Sequence, residues 1–170
     1  MSAIPPDSVT GHPGYLLKRA QTVLNAAMAD ALRAQDATLA QYAVLTALDE
    51  EPGLSNAGLA RRAFVTPQTM NQVLRELEQK GWVVRHPDPA HARILQADLT
   101  EAGRAALRAC HRAVNDIEER MLAPLTPGDV QRFTATLRAC IQALSPAGLP
   151  WEAVVDPLST TAEGLCQRRD

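Results

Sequence analysis

Residues 54–103 carry the pattern that most restricts how this chain can fold, namely two short helices followed closely by a β-hairpin. Ser55 favours the N-cap of the first helix, and Thr66 favours the N-cap of the second. Gly81 is placed to end the second helix, because glycine readily adopts the backbone conformation that follows a helix. Since the linker consists of residues 64–65 alone, the two helices must meet in a tight turn.

The hairpin is predicted from strand-forming residues on either side of a turn-rich segment. Residues 82–85 and 93–99 are the predicted strands, and residues 86–92 form the loop at the tip. Thr100 then favours the N-cap of a long helix that reaches about residue 122. This order predicts a helix–turn–helix with a hairpin wing.

Helical periodicity continues on both sides of this unit. Apolar residues recur at helical spacing over residues 15–34 and 38–49, and Thr126 favours the N-cap of a last helix over residues 127–144. The chain is therefore predicted to be mainly α with a small β-hairpin wing. The predicted organisation is a flexible arm (1–11), a helical region (12–36 and 101–144), a winged helix-turn-helix (37–100) and an irregular tail (145–170).

The charge of the winged unit differs from that of the whole chain, whose net charge is −2. Residues 61–93 carry six cations against three acids, a surplus of three, whereas the acids from Asp36 to Glu51 have no cation among them. A basic patch within an acidic protein suits a surface that faces DNA, because phosphates are neutralised only where the surfaces touch. The six cations are Arg61, Arg62, Arg75, Lys80, Arg85 and Arg93.

The second helix of the pair has separate apolar and polar faces. Its apolar face consists of Met70, Val73, Leu74 and Leu77. Its polar face consists of Gln68, Thr69, Asn71, Gln72 and Arg75. Side chains of these types suit base edges in the major groove, which a recognition helix reads through its first turns. Taken alone, the pattern more often marks a solvated helix face, so the interpretation depends on the neighbouring elements.

The hairpin after this helix carries basic residues that support DNA recognition. Arg85 and Arg93 flank its tip, and arginine on a protruding loop can enter a minor groove or bind phosphates. Asp88 is predicted to pair with Arg93 and hold the wing in shape. The alternative is an ordinary exposed ion pair, which contributes only about 0–1 kcal/mol.

Two stretches of the chain resemble a known family. The first runs from Leu59-Ala60 through Thr66-Pro67-Gln68-Thr69 to Leu77-Glu78-Gln79-Lys80-Gly81-Trp82-Val83-Val84-Arg85. The second is Arg85-xx-Asp88-Pro89-x-His91-x-Arg93, followed by Leu99-Thr100-xx-Gly103. They resemble the helix-turn-helix and the wing of the MarR (multiple antibiotic resistance) family of regulators.

The resemblance implies a transcriptional regulator that acts as a repressor, and not an enzyme. It implies a homodimer in which residues 12–36 and 101–144 of both subunits interleave as a dimerisation region. It also implies a pseudo-palindromic double-stranded DNA operator and release by a small aromatic or phenolic effector. The residues predicted to contact DNA are Ser55, Thr66, Gln68, Thr69, Asn71, Gln72, Arg75, Arg85, His91 and Arg93. The alternative is a helical small-molecule-binding or interaction module whose winged unit contacts protein.

Two residues depart from the family pattern. The family usually has aspartate where this chain has His91, which puts the wing geometry in question and allows a response to pH. Gln72 stands where arginine or lysine is frequent, which predicts a different base preference.

Two further sets of residues have two interpretations each. An effector pocket is expected between the first two helices and the winged unit, although core or dimer packing explains its candidate residues equally well. The last helix carries an apolar seam, for which packing against a partner helix is favoured over intramolecular core because an operator reader benefits from two-fold symmetry. The pocket candidates are Tyr15, Arg19, Met28 and Tyr42; the seam consists of Val130, Phe133, Leu137, Cys140, Ile141 and Leu144.

Other classes of site are not indicated. The three cysteines lack CxxC spacing and the four histidines lack ligand spacing, so no disulfide framework, metal site or cofactor is predicted. Cys110 and its neighbour His111 point about 100° apart on a helix, and Cys110 is predicted to be a buried structural residue. With no signal peptide and no apolar run of about 20 residues, the protein is expected to be cytoplasmic and not bound to membranes.

Overall fold

The computed structural model describes residues 9–63, 65–89, 91 and 93–145. Residues 1–8 of the predicted arm, Phe64 of the predicted interhelical linker and residues 146–170 of the predicted tail lie outside the described residues. The elements are a short 3-10 helix (Val9–Gly11), α1 (Pro13–Arg33), α2 (Leu39–Glu50), β1 (Leu54–Ser55), α3 (Asn56–Arg62), α4 (Pro67–Gln79), β2 (Val83–Pro87), β3 (Leu95–Leu99), α5 (Glu101–Leu122) and α6 (Pro127–Leu144). The mainly helical fold with a small hairpin confirms the predicted class.

Helices α3 to α6 begin where their capping residues predict. The side-chain oxygen of Ser55 accepts a hydrogen bond from the Gly58 backbone N–H at 3.2 Å, which satisfies one of the free donors at the start of α3. Thr66, Thr100 and Thr126 cap α4, α5 and α6 in the same way. These bonds join residues three positions apart, which explains why the sequence predicts them.

The sheet has one strand more than the predicted hairpin. Its order is β1-β3-β2, and both neighbouring pairs are antiparallel. The additional strand is β1, in which Leu54 pairs with Ala97 and Ser55 pairs with Gln96. A strand of two residues is too short to produce an alternating pattern, so only its partner strand, more than forty positions away, reveals it.

One buried cluster fixes the winged unit to the helices before it. The predicted apolar face of α4 is buried against α2, α3 and the sheet, and Leu107 brings α5 into the same cluster. The start of α5 lies so close to the hairpin that a Cβ on Gly103 would be 2.0 Å from the backbone oxygen of Trp82. The wing, α4 and α5 therefore form one packed body.

A second, smaller buried cluster joins α1 to α5. It contains Leu32, Ala37, Cys110 and Val114, and burial raises the pKa of the Cys110 thiol. This environment agrees with a structural role for Cys110. Beside the cluster, the hydroxyl of Tyr42 and Nδ1 of His111 lie 2.9 Å apart in a hydrogen bond between α2 and α5.

The last helix has an apolar seam that the single chain leaves uncovered. α6 contains no buried residue within the described part of the chain. Phe133 is 43% exposed and Leu144 is 87% exposed. α1 also exposes large apolar residues, among them Leu16, Leu17 and Val23. The seam of α6 is therefore not intramolecular core.

Candidate nucleic-acid interface

The turn between α3 and α4 is held by a side chain that the sequence patterns do not single out. Nδ2 of Asn56 donates to the carbonyl of Pro67 at 3.2 Å, which joins the first residue of α3 to the first residue of α4. The hydroxyl oxygens of Thr66 and Thr69 are 2.9 Å apart, and Thr66 also accepts from the Thr69 backbone N–H at 3.1 Å. These bonds set the direction in which the first turn of α4 leaves the body.

The predicted polar face of α4 is exposed, opposite the buried face that anchors the helix. Because Met70, Leu74 and Leu77 are fully buried, α4 cannot rotate about its axis without exposing apolar surface. Ser55 lies at the start of α3 and is half-buried, with its hydroxyl oxygen used for capping. The exposed residues of α4 and of its N-cap include all the predicted contacts on this helix, namely Thr66, Gln68, Thr69, Asn71, Gln72 and Arg75.

Half of the cations expected to form the basic patch are neutralised by nearby acids. Arg62 pairs with Glu51 and with Glu50, the latter at 3.5 Å. Lys80 pairs with Asp36 at 3.2 Å.

The third pair joins the wing to α4, where Arg85 binds Glu78 and both side chains are half-buried. Within the described residues, Arg61, Arg75 and Arg93 are exposed and make no ion pair. Three of the four acids that precede the patch, namely Asp36, Glu50 and Glu51, are thus compensated by it, contrary to their isolation in the sequence. Within the patch of residues 61–93, the available positive charge is therefore carried by these three arginines.

The wing is shaped by Asp88, but through other partners than expected. One carboxylate oxygen of Asp88 accepts from the His91 backbone N–H at 2.9 Å, and the other accepts from Nε2 of Gln96 at 2.7 Å. The backbone N–H of Asp88 also donates to the Ile94 carbonyl at 2.8 Å, which closes the loop. The ion pairs between described residues do not include the predicted one from Asp88 to Arg93. The carboxylate is turned into the loop, so Arg93 stays exposed at the tip.

A second carboxylate links the wing strands to the end of α2. Asp98 accepts from the backbone N–H of Gly53 at 2.9 Å and from Nε2 of His86 across the hairpin. The hydrogen bond to Asp98 raises the pKa of His86, since the protonated imidazole is the better partner for a carboxylate. Protonation of His86 therefore affects a hydrogen bond of the carboxylate that links the wing strands to the end of α2.

Titration of His86 is expected to give a pKa above the ordinary value of 6.5. The stability that this pair contributes is fully present below about pH 6.5 and is lost as pH rises through the raised pKa. NMR of the imidazole should show this pKa fall back towards its ordinary value in Asp98→Asn. Gln96→Ala keeps the His86–Asp98 pair and should leave the pKa raised. A wild-type His86 with an ordinary pKa would contradict this account.

The four pocket candidates are not brought together within one chain. Tyr15 and Arg19 lie on the first turns of α1, with the guanidinium 6.0 Å from the ring centre. Met28 and Tyr42 pack against the second buried cluster, and Met28 lies about 20 Å from Tyr15 along the axis of α1.

A groove of about 320 Å³ lies instead between α1 and α5. Its walls are apolar, and Arg120 provides a cation at its edge. Sequence reasoning missed this residue, because its position next to α1 depends on the packing of two helices far apart in the chain. The lining residues are Ala20, Val23, Leu24, Ala27, Ile117, Arg120 and Met121.

The described residues lack two further classes of feature. These residues contain no group of three or more His, Cys, Asp or Glu side chains arranged to hold a metal ion. None of the helices in the described ranges has the length and apolar character needed to cross a membrane.

Comparison with known proteins identifies relatives of this architecture. The family model described as MarR family matches residues 35–94. The HTH-type transcriptional repressor Rv2887 of Mycobacterium tuberculosis is 42% identical over 124 residues, which are 73% of this chain and 89% of that protein. A crystal structure of Rv2887 in complex with DNA has a TM-score of 0.67 and 38% identity, covering 76% of this chain and 98% of that chain. A structure of the same protein with salicylic acid has a TM-score of 0.65 and 40% identity, covering 79% and 98%.

Proposed function

Because the chain belongs to the MarR family of transcriptional regulators, we propose that it is a dimeric repressor that binds a pseudo-palindromic DNA operator and is released by a small aromatic acid. We place it in the cytoplasm, where an operator is accessible. The observation that carries the proposal is the exposed polar face of α4, anchored by a fully buried apolar face and flanked by unpaired arginines.

The cations that make no ion pair and the cations that do are proposed to have different roles within this interface. Arg75 on α4 and Arg93 at the wing tip are the proposed contacts to bases or phosphates, and Arg61 on α3 is a further proposed phosphate contact. Arg85 is proposed to hold the wing against α4 through Glu78 instead of contacting DNA in its paired state. The other proposed contacts are Ser55, Thr66, Gln68, Thr69, Asn71, Gln72 and His91.

The proposed dimer explains the apolar surface that the single chain exposes. The seam of α6 and the exposed face of α1 lie in the regions 12–36 and 101–144, away from the surface of α4. Burying them against a second copy removes apolar area from water, and a two-fold axis places two copies of α4 for two half-sites. The Rv2887–DNA complex supports an operator as the partner.

The proposed effector is a small aromatic carboxylate. Rv2887 has been crystallised with salicylic acid, and the groove between α1 and α5 has room for a single ring. Arg120 at its edge is a partner for a carboxylate. Met28 and Tyr42 do not line this groove and remain proposed contacts only for an effector that reaches the second buried cluster, whereas Tyr15 and Arg19 would require a contribution from the dimer.

The proposed function is tested by binding the full-length protein to fragments of the DNA upstream of its own gene. Two chains are expected per operator, with the affinity falling by about a thousandfold or more between about 50 and 200 mM salt. Salicylate is expected to release the DNA. Equal binding to unrelated DNA, or binding that salt hardly changes, would refute an operator reader and favour a winged unit that contacts protein.

A further inference from the structure

Gln41 of α2 is a nearly buried polar side chain, only 3% exposed, and its amide is engaged on both sides. Its Oε1 accepts from Nζ of Lys80 at 3.2 Å and from the backbone N–H of Thr38 at 3.3 Å. Its Nε2 donates to Oε2 of Glu76 at 2.9 Å. An ammonium can only donate and a carboxylate can only accept, so these partners permit one orientation of the amide.

Glu76 connects the fixed amide of Gln41 in the interior to the exposed face of α4. Its second oxygen, Oε1, accepts from Nε2 of Gln72 at 3.2 Å. A single carboxylate therefore bridges a buried amide and an exposed one. Because Nε2 of Gln72 is turned towards Glu76, its carbonyl oxygen is left as the outward acceptor.

The inner end of this chain of bonds is anchored firmly. Nζ of Lys80 also binds the backbone carbonyl and the carboxylate of Asp36, and it lies 4.7 Å from the centre of the Trp82 ring. Asp36 has a φ of 55° in the junction between α1 and α2, which is uncommon for a residue other than glycine. A Gln–Glu pair on an isolated helix would change rotamers freely, whereas Glu76 is held by Gln41 on the opposite side.

We infer that Gln41 is a positioning residue for base reading: through Glu76, it fixes the amide of Gln72 so that its carbonyl reads a base that presents a donor in the major groove. Adenine presents N6–H₂ and cytosine presents N4–H₂, whereas guanine and thymine present acceptor oxygens at the corresponding positions. Gln72 is the contacting residue, and Gln41 acts only through Glu76. The inference rests on the proposed function, since it assigns a base preference to the same helix.

The test measures base preference with the full-length protein on operator duplexes that carry each of the four bases at every position. The position where Gln72→Ala changes the preference identifies the base pair concerned. There, the wild-type protein is expected to favour one base pair, contacted through its adenine or cytosine, by about tenfold over the others, and Gln41→Leu is expected to reduce this ratio below about threefold. Affinity for unrelated DNA should stay within about twofold, because the phosphate contacts are unchanged.

Three further variants separate positioning from a general loss of structure. Glu76→Leu changes a partly exposed residue of α4 and should reduce the same base ratio even if Gln41→Leu folds poorly. Val44→Ala removes buried apolar atoms from α2 and should lower stability without changing the ratio. In the Gln72→Ala background, Gln41→Leu should produce no further change of preference.

The outcomes distinguish this inference from the proposed function. Unchanged base ratios in Gln41→Leu and Glu76→Leu, or a wild-type ratio that already lies below about threefold at this base pair, overturn the inference while operator binding stands. A reduced ratio in Val44→Ala overturns it too, since the effect would then be general. A wild-type protein that binds no sequence selectively refutes the proposed function, and the inference with it.

Discussion

Arg93→Ala is expected to weaken operator binding by about tenfold to a hundredfold and to lower the slope of log affinity against log salt by about one for each lost phosphate contact. Arg93 is exposed at the wing tip, because Asp88 binds the loop backbone and Gln96. Its positive charge is therefore available to DNA at no cost of breaking an internal pair. Fluorescence anisotropy over a range of salt concentrations measures both the affinity and the slope.

Arg62→Ala provides a matched control, since Arg62 belongs to the same basic segment. Its guanidinium pairs with Glu50 and Glu51, so its net contribution to the positive surface is small. The affinity of this variant should stay within about threefold of the wild type. If Arg62→Ala and Arg93→Ala weaken binding equally, the division into paired and available cations is wrong.

Gly103→Ala is expected to lower the free energy of unfolding by about 3 kcal/mol, at the upper end of the usual cost of overpacking. The added Cβ would meet the backbone oxygen of Trp82 at 2.0 Å. That oxygen also accepts from the Thr100 backbone N–H at 3.0 Å, which attaches the start of α5 to the wing. Backbone atoms cannot swing aside as a side-chain end can, so α5 must move away from the hairpin. Denaturant unfolding at one protein concentration measures the loss.

Gly128→Ala is the matched control for this substitution. Gly128 lies in the first turn of α6, and a Cβ added to it meets nothing within 4 Å in the single chain. Alanine should leave the stability unchanged or raise it by about 0.5–1 kcal/mol, because glycine has the larger entropy in the unfolded chain. A comparable loss in both variants would show that the contact at Trp82 is not the cause.

The local features of the interface could be predicted because their causes lie within a few positions along the chain. The N-caps at Ser55 and Thr66 bind backbone donors three residues ahead. The buried face of α4 follows from helical periodicity alone. The burial of Cys110 follows from the same periodicity on α5.

The pairing of charges could not be predicted in this way. Counting charges along the chain places six cations in one patch, although Arg62, Lys80 and Arg85 are bound by acids. Arg62 and Glu51 are 11 positions apart, and Lys80 and Asp36 are 44 positions apart. Whether a cation faces DNA or an internal acid depends on which helix ends meet.

The pair of capped helices followed by a basic hairpin is determined by the sequence itself, because capping and periodicity act through neighbours along the chain. Only the tertiary structure decided that β1 completes the sheet, that Arg61, Arg75 and Arg93 carry the available charge, and that Gln41 reaches Gln72 through Glu76. The hydrogen bond from Gln41 to Glu76 spans 35 positions. The amide of Gln41 has one fixed orientation only because α2 and α4 pack together and exclude water from it. A buried amide without water must form its hydrogen bonds with protein groups.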